Sequence, residues 1–338
     1  MFDLLALVLF TALGTGFAWK GSELLVAASD ALGERYGVPP VVQGAVIAAA
    51  GSSFPEFAST VIAVSQYGTF ELGLGAVLGS GVYNILVIPA VATLSRGGAL
   101  SANRDLVYKE AQFYLISLAT LLLVLSLGVI YFPVSSTTTA LDGRLTPLLA
   151  LLLVGLYGLY IFIQYADAVE YVPEIPTTDV GGRPWLTLLA SLALVVVGAE
   201  LLVRAAVGFG AFFDTPDVLW GLTVVAAGTS LPDTFVSVVA ARSGGDSLSL
   251  ANVLGSNVFA LLIALPAGVL AAGGVPIDFA AVVPLLGFLV AASVVFFAAL
   301  RTDLSLARWE AYLLLGMYGL FIAWLVAEAV GVTRLLAG

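Results

Sequence analysis

Ten apolar runs, near residues 4–30, 39–65, 72–95, 111–132, 146–165, 185–209, 217–241, 248–273, 279–300 and 309–330, leave this chain few folds to choose from. Each is as long as the roughly 20 residues a helix needs to cross the hydrocarbon core of a bilayer. No water is available there to pair with backbone N–H and C=O groups, so a spanning segment must satisfy them itself, as a helix does. The separators carry turn residues and charge, among them Gly33-Glu34-Arg35, Gln66-Tyr67-Gly68, Asp142-Gly143-Arg144 and Ser243-Gly244-Gly245-Asp246. With 61% of residues hydrophobic and 10% charged, a soluble globule is excluded. The expected fold is an all-α polytopic membrane protein with ten transmembrane helices. Met1-Phe2-Asp3 offers neither a basic segment nor a small-residue cleavage site, so the first run is expected to be a span and not a signal peptide.

Basic residues set the orientation. The loops after spans 1, 3, 5, 7 and 9 hold Arg35, Arg96, Arg104, Lys109, Arg183, Arg242, Arg301 and Arg308, whereas the opposite side holds Arg144 and Arg334. Cytoplasmic loops are the ones enriched in Lys and Arg, so both termini are expected to be extracellular and the chain to lie in the plasma membrane. The net charge of −10 sits mostly in loops, with Asp167, Glu170, Glu174 and Asp179 in one of them, and reads as solvated surface. The chain has no cysteine and no histidine. Disulfides, thiolate and imidazole metal sites and imidazole proton relays are therefore excluded, and any chemistry falls to carboxylates, hydroxyls, amides and backbone. No prosthetic group, nucleic acid or protein partner is implied; the expected partners are the bilayer and small ions.

An internal repeat organises the spans. Residues 21–56 align without a gap on 198–233 at an offset of 177, with 15 identities in 36 positions, and after one deletion Val77-Leu78-Gly79-Ser80 falls on Val253-Leu254-Gly255-Ser256. Shared apolar composition does not explain the pairs Glu23/Glu200, Pro39/Pro216 and Pro55/Pro232. Five spans separate the copies, and five is odd, so the second half must sit upside down relative to the first. The expectation is two inverted-topology five-helix repeats, residues 1–168 and 185–338, joined by a short cytoplasmic linker at 169–184. That is an architecture of secondary transporters, whose sites lie at the midplane on interrupted helices.

The midplane residues follow from the repeat. Gly51-Ser52-Ser53-Phe54-Pro55-Glu56 and Gly228-Thr229-Ser230-Leu231-Pro232-Asp233 each place a carboxylate inside an apolar run. Insertion scales charge a carboxylate about 2.5–3.5 kcal/mol at the bilayer centre, which makes it a functional candidate by default. Proline lacks an N–H and clashes with the carbonyl four residues back, so Pro55 frees the carbonyl of Gly51 and Pro232 that of Gly228. Carboxylates, hydroxyls and loosened carbonyls form an all-oxygen set, suited to hard cations such as Ca²⁺ or Na⁺. Kinking and close helix packing explain either motif alone equally well, but not two copies that both end in an acid.

These two motifs, with Leu78-Gly79-Ser80-Gly81-Val82-Tyr83-Asn84 and Leu254-Gly255-Ser256-Asn257-Val258-Phe259-Ala260 in spans 3 and 8, resemble the two alpha-repeats of the sodium/calcium exchanger family. The resemblance implies that Glu56 and Asp233 bridge Ca²⁺ or competing Na⁺. It implies oxygens from Ser52 and Thr229, hydroxyls from Ser53, Ser230, Ser80 and Ser256, carbonyls from Ala49 and Ala226, and Asn84 at the middle of the site. It also implies that spans 1 and 6 slide together to switch access, a motion that Gly14, Gly16, Gly198, Gly208 and Gly210 are placed to ease. Ser/Thr-Pro-acid cores argue for sodium coupling, and linker 169–184 is too short for the calcium-sensing domains of animal exchangers. Mg²⁺ fits poorly because it holds its waters in a tight octahedron.

One residue departs from that family's pattern. Ala260 stands where its second repeat carries Asn or Asp, so the middle of the site is expected to be one oxygen short, with water filling in and potassium co-transport disfavoured. Asn257, three residues earlier, points about 60° away on a helix and is not expected to substitute. Glu23 and Glu200 are read as partners of Lys20 and Arg204 rather than as ion-entry groups, and Trp185, Trp309 and Trp324 as interface anchors. The nearest alternative function is a Ca²⁺/H⁺ antiporter on the same fold. An intramembrane aspartyl protease gives no reason for the hydroxyls before each acid, and a passive cation channel gives none for inverted repeats.

Overall fold

The computed structural model describes residues 3–36, 49–104, 106–134, 141–169, 184–333 and 335–336. Among these, nine helices are long and apolar enough to cross a membrane. The tenth expected span, 39–65, is described only from residue 49, as α2 (Ala49–Ser52) and α3 (Phe54–Tyr67). Its first part with Pro39, Arg334, and the linker from residue 170 to 183 lie outside the described residues.

In chain order the remaining helices are α1 (Leu4–Tyr36), α4 (Phe70–Leu86), α5 (Ile88–Arg96), α6 (Ala111–Tyr131), α7 (Pro147–Val169), α8 (Pro184–Phe213) and α9 (Asp217–Trp220). They continue as α10 (Ala226–Arg242), α11 (Asp246–Phe259), α12 (Leu265–Ala271), α13 (Phe279–Arg301) and α14 (Arg308–Ala329). Wide π turns occur at Leu106–Glu110, Gly221–Val225 and Ala260–Ala264. Gly68 and Gly97 close α3 and α5 with φ of 68° and 82°, a left-handed conformation that costs glycine little.

Two short antiparallel ribbons define the ends of the bundle. β1 (Leu100–Ser101) pairs with β4 (Ser305–Leu306), so the loops after α5 and α13 share one end. β2 (Asp142–Leu145) pairs with β3 (Val275–Asp278), Asp142 opposite Asp278, so the loops after α6 and α12 share the other. At the β1/β4 end Arg96, closing α5, forms an ion pair with the buried Asp246 that opens α11, and the Ser101 N–H donates to Asp246 Oδ2 at 3.0 Å. The α4–α5 segment therefore runs toward this end and its sequence equivalent, α11–α12, runs away from it. These two segments are the most enclosed in the bundle.

The most extensive helix contact joins α1 to α8. A Cβ on Gly14 would lie 2.9 Å from the Gly198 carbonyl oxygen, and one on Gly198 2.5 Å from the Ala18 nitrogen, so backbone meets backbone across small residues. Gly208 abuts Leu7 of α1 in the same contact, whereas Gly16 faces open space and Gly210 faces the Asp217 side chain. Only three of the five glycines expected in a sliding surface thus lie in it.

Candidate ion site

Proline shapes both copies of the motif. α2 stops at Ser52, Ser53 leaves helical geometry (φ −93°, ψ 7°), and α3 restarts with Pro55 and Glu56 in its first turn. In the second copy α10 runs on with Pro232 inside it, directly after the π turn Gly221–Val225. Both routes carry a carboxylate into the bundle one turn after a carbonyl that proline has left without its helical donor.

Glu56 and Asp233 are 1% and 0% exposed. Ser80 Oγ donates to Glu56 Oε1 at 3.2 Å and lies 2.7 Å from Ser230 Oγ. Thr229 also lies within hydrogen-bonding reach of Glu56, and Ser52 and Ser256, whose hydroxyls are 3.4 Å apart, lie within reach of Asp233. Each carboxylate is thus met by one hydroxyl from its own half and one from the other. The Thr229 proton is shared between the carbonyls of Val225 (3.0 Å) and Ala226 (3.3 Å), which turns its lone pairs away from them. Ala49 opens α2 one turn before Ser53, the backbone position matching Ala226 in the second copy.

Four oxygens of this cluster, Glu56 Oε2, Asp233 Oδ2, Ser53 Oγ and Asn84 Oδ1, are buried without a hydrogen-bond partner. Leaving such a group unsatisfied costs about 1–3 kcal/mol, and more when it is charged, so four together require another source of stabilisation. Among the described residues, the polar side chains around the two carboxylates are hydroxyls and Asn252, with no Lys or Arg. Among the described residues no group of three or more acidic, His or Cys side chains converges, so the site's charge is that of this pair. Two carboxylates balance one divalent ion or two monovalent ones.

Sequence reasoning missed two asparagines. Asn252 Nδ2 lies 3.4 Å from Asp233 Oδ1. Asn257, expected to point away, instead reaches across the bundle: its Oδ1 accepts from Asn84 Nδ2 at 3.0 Å. Nothing in the sequence marked either residue, although the spacing beyond them differs: nine residues lead from Ser80 to Pro89 but ten from Ser256 to Pro266. The extra residue is absorbed by the π turn that begins at Ala260, a form that recurs where helices carry function. Ala260 itself is 2% exposed and brings no oxygen on its side chain.

A sodium/calcium exchanger protein family model matches residues 6–166 and 183–327. The chain belongs to the sodium/calcium exchanger family. This exchanger is 32% identical over 266 residues to CaxA of Alkalimonas amylolytica, named as an antiporter, covering 78% of this chain and 79% of that one. It is 26% identical to the sodium/calcium exchanger MaX1 of Methanosarcina acetivorans, covering 93% and 97%. Its fold matches a structure of the sodium-calcium exchanger NCX_Mj soaked with Na⁺ and Sr²⁺, with a TM-score of 0.64 at 24% identity over 95% of this chain and 99% of that one. It is a membrane transporter of the cation/calcium antiporter class, not an enzyme.

The two sides of the candidate site differ. On the β1/β4 side a cavity of about 120 Å³ between α1 and α10 is lined by Ser22, Glu23, Val26, Ser52, Pro232 and Phe235, so it connects the exposed Glu23 with the Ser52 hydroxyl of the candidate site. Glu23 pairs with Lys20 at 2.8 Å, both well exposed. On the opposite side the matching positions Ala58, Ala199 and Val203 are packed together in a closed core. A side-chain cluster fastens that closed side: Tyr67 at the end of α3 donates to Glu200 Oε1 of α8 at 2.8 Å, and Arg204 pairs with the same oxygen at 2.8 Å. The reading of Glu23 and Glu200 as partners of the neighbouring cations therefore holds, and Glu200 has a second role in joining two helices.

Tyr67→Phe removes the bond between α3 and α8 while keeping the ring. A hydrogen bond to a charged group contributes about 1.5–3 kcal/mol, so opening on this side is expected to become roughly tenfold or more frequent. The chain has no cysteine, so labelling of Ala58→Cys by a soluble maleimide reads this cleanly. The labelling rate is expected to rise in the Tyr67→Phe background; an unchanged rate would show that the cluster fastens nothing.

Proposed function

We propose that this exchanger moves Ca²⁺ across the plasma membrane against Na⁺ by alternating access, the two ions competing for one site built on Glu56 and Asp233. The observation that carries the reading is the buried carboxylate pair with partnerless oxygens, ringed by Ser52, Ser53, Ser80, Thr229, Ser230 and Ser256 with no Lys or Arg beside it among the described residues. Ca²⁺ takes six to eight oxygens in flexible geometry and Na⁺ is also oxygen-seeking, so one hydroxyl-rich cavity serves either ion. The carbonyls of Ala49 and Ala226 and the amide oxygen of Asn84 complete the set. Residues 1–168 and 185–338 act as two inverted five-helix repeats, joined by the cytoplasmic linker 169–184, with both termini outside. The β1/β4 end then faces the cytoplasm, and the cavity at Glu23 is the inward approach.

The deciding experiment is Ca²⁺ uptake into reconstituted vesicles under a sodium gradient. Cation/proton antiport on the same carboxylates is the second reading; it would appear as uptake driven by a pH gradient in the absence of sodium. A separate test concerns Ala260. Ala260→Asp adds a carboxylate at the middle of the site and is expected to tighten divalent-ion binding about tenfold or more and to shift selectivity toward divalent over monovalent ions. Unchanged affinity and selectivity would show that the site is not one ligand short.

A further inference from the structure

We propose that Asn257 is a positioning residue that fixes which end of the Asn84 amide faces the ions, an inference that rests on the exchanger reading above. The Ser293 hydroxyl donates to the Leu289 carbonyl at 2.7 Å, so its oxygen is left to accept. Tyr114 is fully buried, with Ser293 close to its hydroxyl. Asn257 Nδ2 lies 3.3 Å from Tyr114 Oη and 3.3 Å from the Gly81 carbonyl oxygen. A backbone carbonyl only accepts, so the end of Asn257 that faces Gly81 must be its NH₂. Its Oδ1 must then face Asn84, and an acceptor there obliges Asn84 to offer Nδ2, the 3.0 Å contact observed.

The consequence lies at the other end of Asn84. Its Oδ1 is buried and without a partner. Asn84 is one helical turn beyond Ser80, on the face whose hydroxyl reaches Glu56. An amide oxygen on that face is a cation ligand, whereas a flipped NH₂ would oppose a cation. The Asn257–Asn84 pair thus has one permitted orientation, anchored by the Gly81 carbonyl. It also accounts for an asymmetry between the repeats. Where the first half has Gly81 and Asn84, the second has Asn257 and Ala260, so each half supplies one asparagine and the two meet.

The test is Ca²⁺ binding by equilibrium dialysis of the purified full-length protein, for wild type, Asn84→Ala, Asn257→Ala and the double variant. Each single substitution is expected to weaken Ca²⁺ binding about tenfold, as one hydrogen-bonded ligand group typically does. The double variant is expected to match Asn84→Ala, because Asn257 acts only through Asn84; such non-additivity is what a merely structural role would not produce. In transport, Asn257→Ala is expected to raise the KM for Ca²⁺ more than it lowers kcat. Should Asn257→Ala fail to fold, Tyr114→Phe keeps the packing and is expected to weaken binding about two- to threefold, an effect absent in the Asn84→Ala background. Unchanged affinity in Asn257→Ala, or losses that add in the double variant, would overturn the proposal. Wild-type protein that binds no Ca²⁺ would overturn the exchanger reading instead.

Discussion

Glu56→Gln and Asp233→Asn are each expected to lower Ca²⁺ affinity by roughly 100- to 1,000-fold and to abolish transport driven by an ion gradient. Removing one member of a buried charge arrangement typically costs about 3–5 kcal/mol, and here the remaining partner is the transported ion itself. Each amide keeps the shape of the side chain and its contacts with Ser80 or Ser256, so the loss measures charge and not packing. With the ions absent, the same substitutions relieve two acidic groups held in the bundle at 1% and 0% exposure. Ion-free Glu56→Gln protein is therefore expected to melt no lower than wild type, while its stabilisation by added Ca²⁺ disappears, because a ligand stabilises only what binds it. Calorimetry with and without Ca²⁺ reads both effects. A variant that keeps the Ca²⁺-dependent rise in Tm would remove that carboxylate from the site.

Gly79→Ala is expected to be nearly as damaging, for a geometric reason. A Cβ at Gly79 would lie 2.5 Å from the Leu222 carbonyl oxygen, 2.7 Å from Leu222 Cα and 2.8 Å from Ala226 Cβ. The obstacles are the backbone of the π turn and the first residue of α10, which cannot turn aside as a flexible side chain can. One methyl group must therefore push α4 away from α10. Overpacking of this kind costs about 1–3 kcal/mol of stability. Ser80, the next residue, would lose its 2.7 Å contact with Ser230 and its 3.2 Å bond to Glu56. Since misplacement of binding groups by about 1 Å can cost roughly 100-fold in rate, Ca²⁺ uptake is expected to fall by more than an order of magnitude. Gly16→Ala is the control: nothing lies within 4 Å of a Cβ there. It is expected to leave uptake unchanged and stability equal or slightly higher. Normal uptake and Tm in Gly79→Ala would mean that α4 and α10 are not held as closely as these distances require.

The spans, the repeat and the two acids were legible in the sequence because the bilayer makes them so. It fixes the length of an apolar run, and it makes each intramembrane carboxylate expensive enough to need a reason. Parity of the spans between the two copies predicts inversion, and within the described residues α4–α5 and α11–α12 run in opposite directions. Asn257 was not legible, because a single-helix rotation says where a side chain leaves its own axis and nothing about which partner approaches. The π turn at Ala260–Ala264 was available as a one-residue difference in spacing before Pro89 and Pro266, yet it has meaning only once the helix is seen to widen. Tyr67 looked like part of a turn. Its bond to Glu200, 133 residues away, joins two helices whose sequences carry no sign of each other.

The most direct test of sodium-coupled exchange is Ca²⁺ uptake by wild-type protein in vesicles loaded with sodium and diluted into sodium-free buffer, beside vesicles given only a pH gradient. Uptake that requires the outward sodium gradient and ignores the pH gradient is the predicted result. Uptake that follows the pH gradient with no sodium on either side would contradict it.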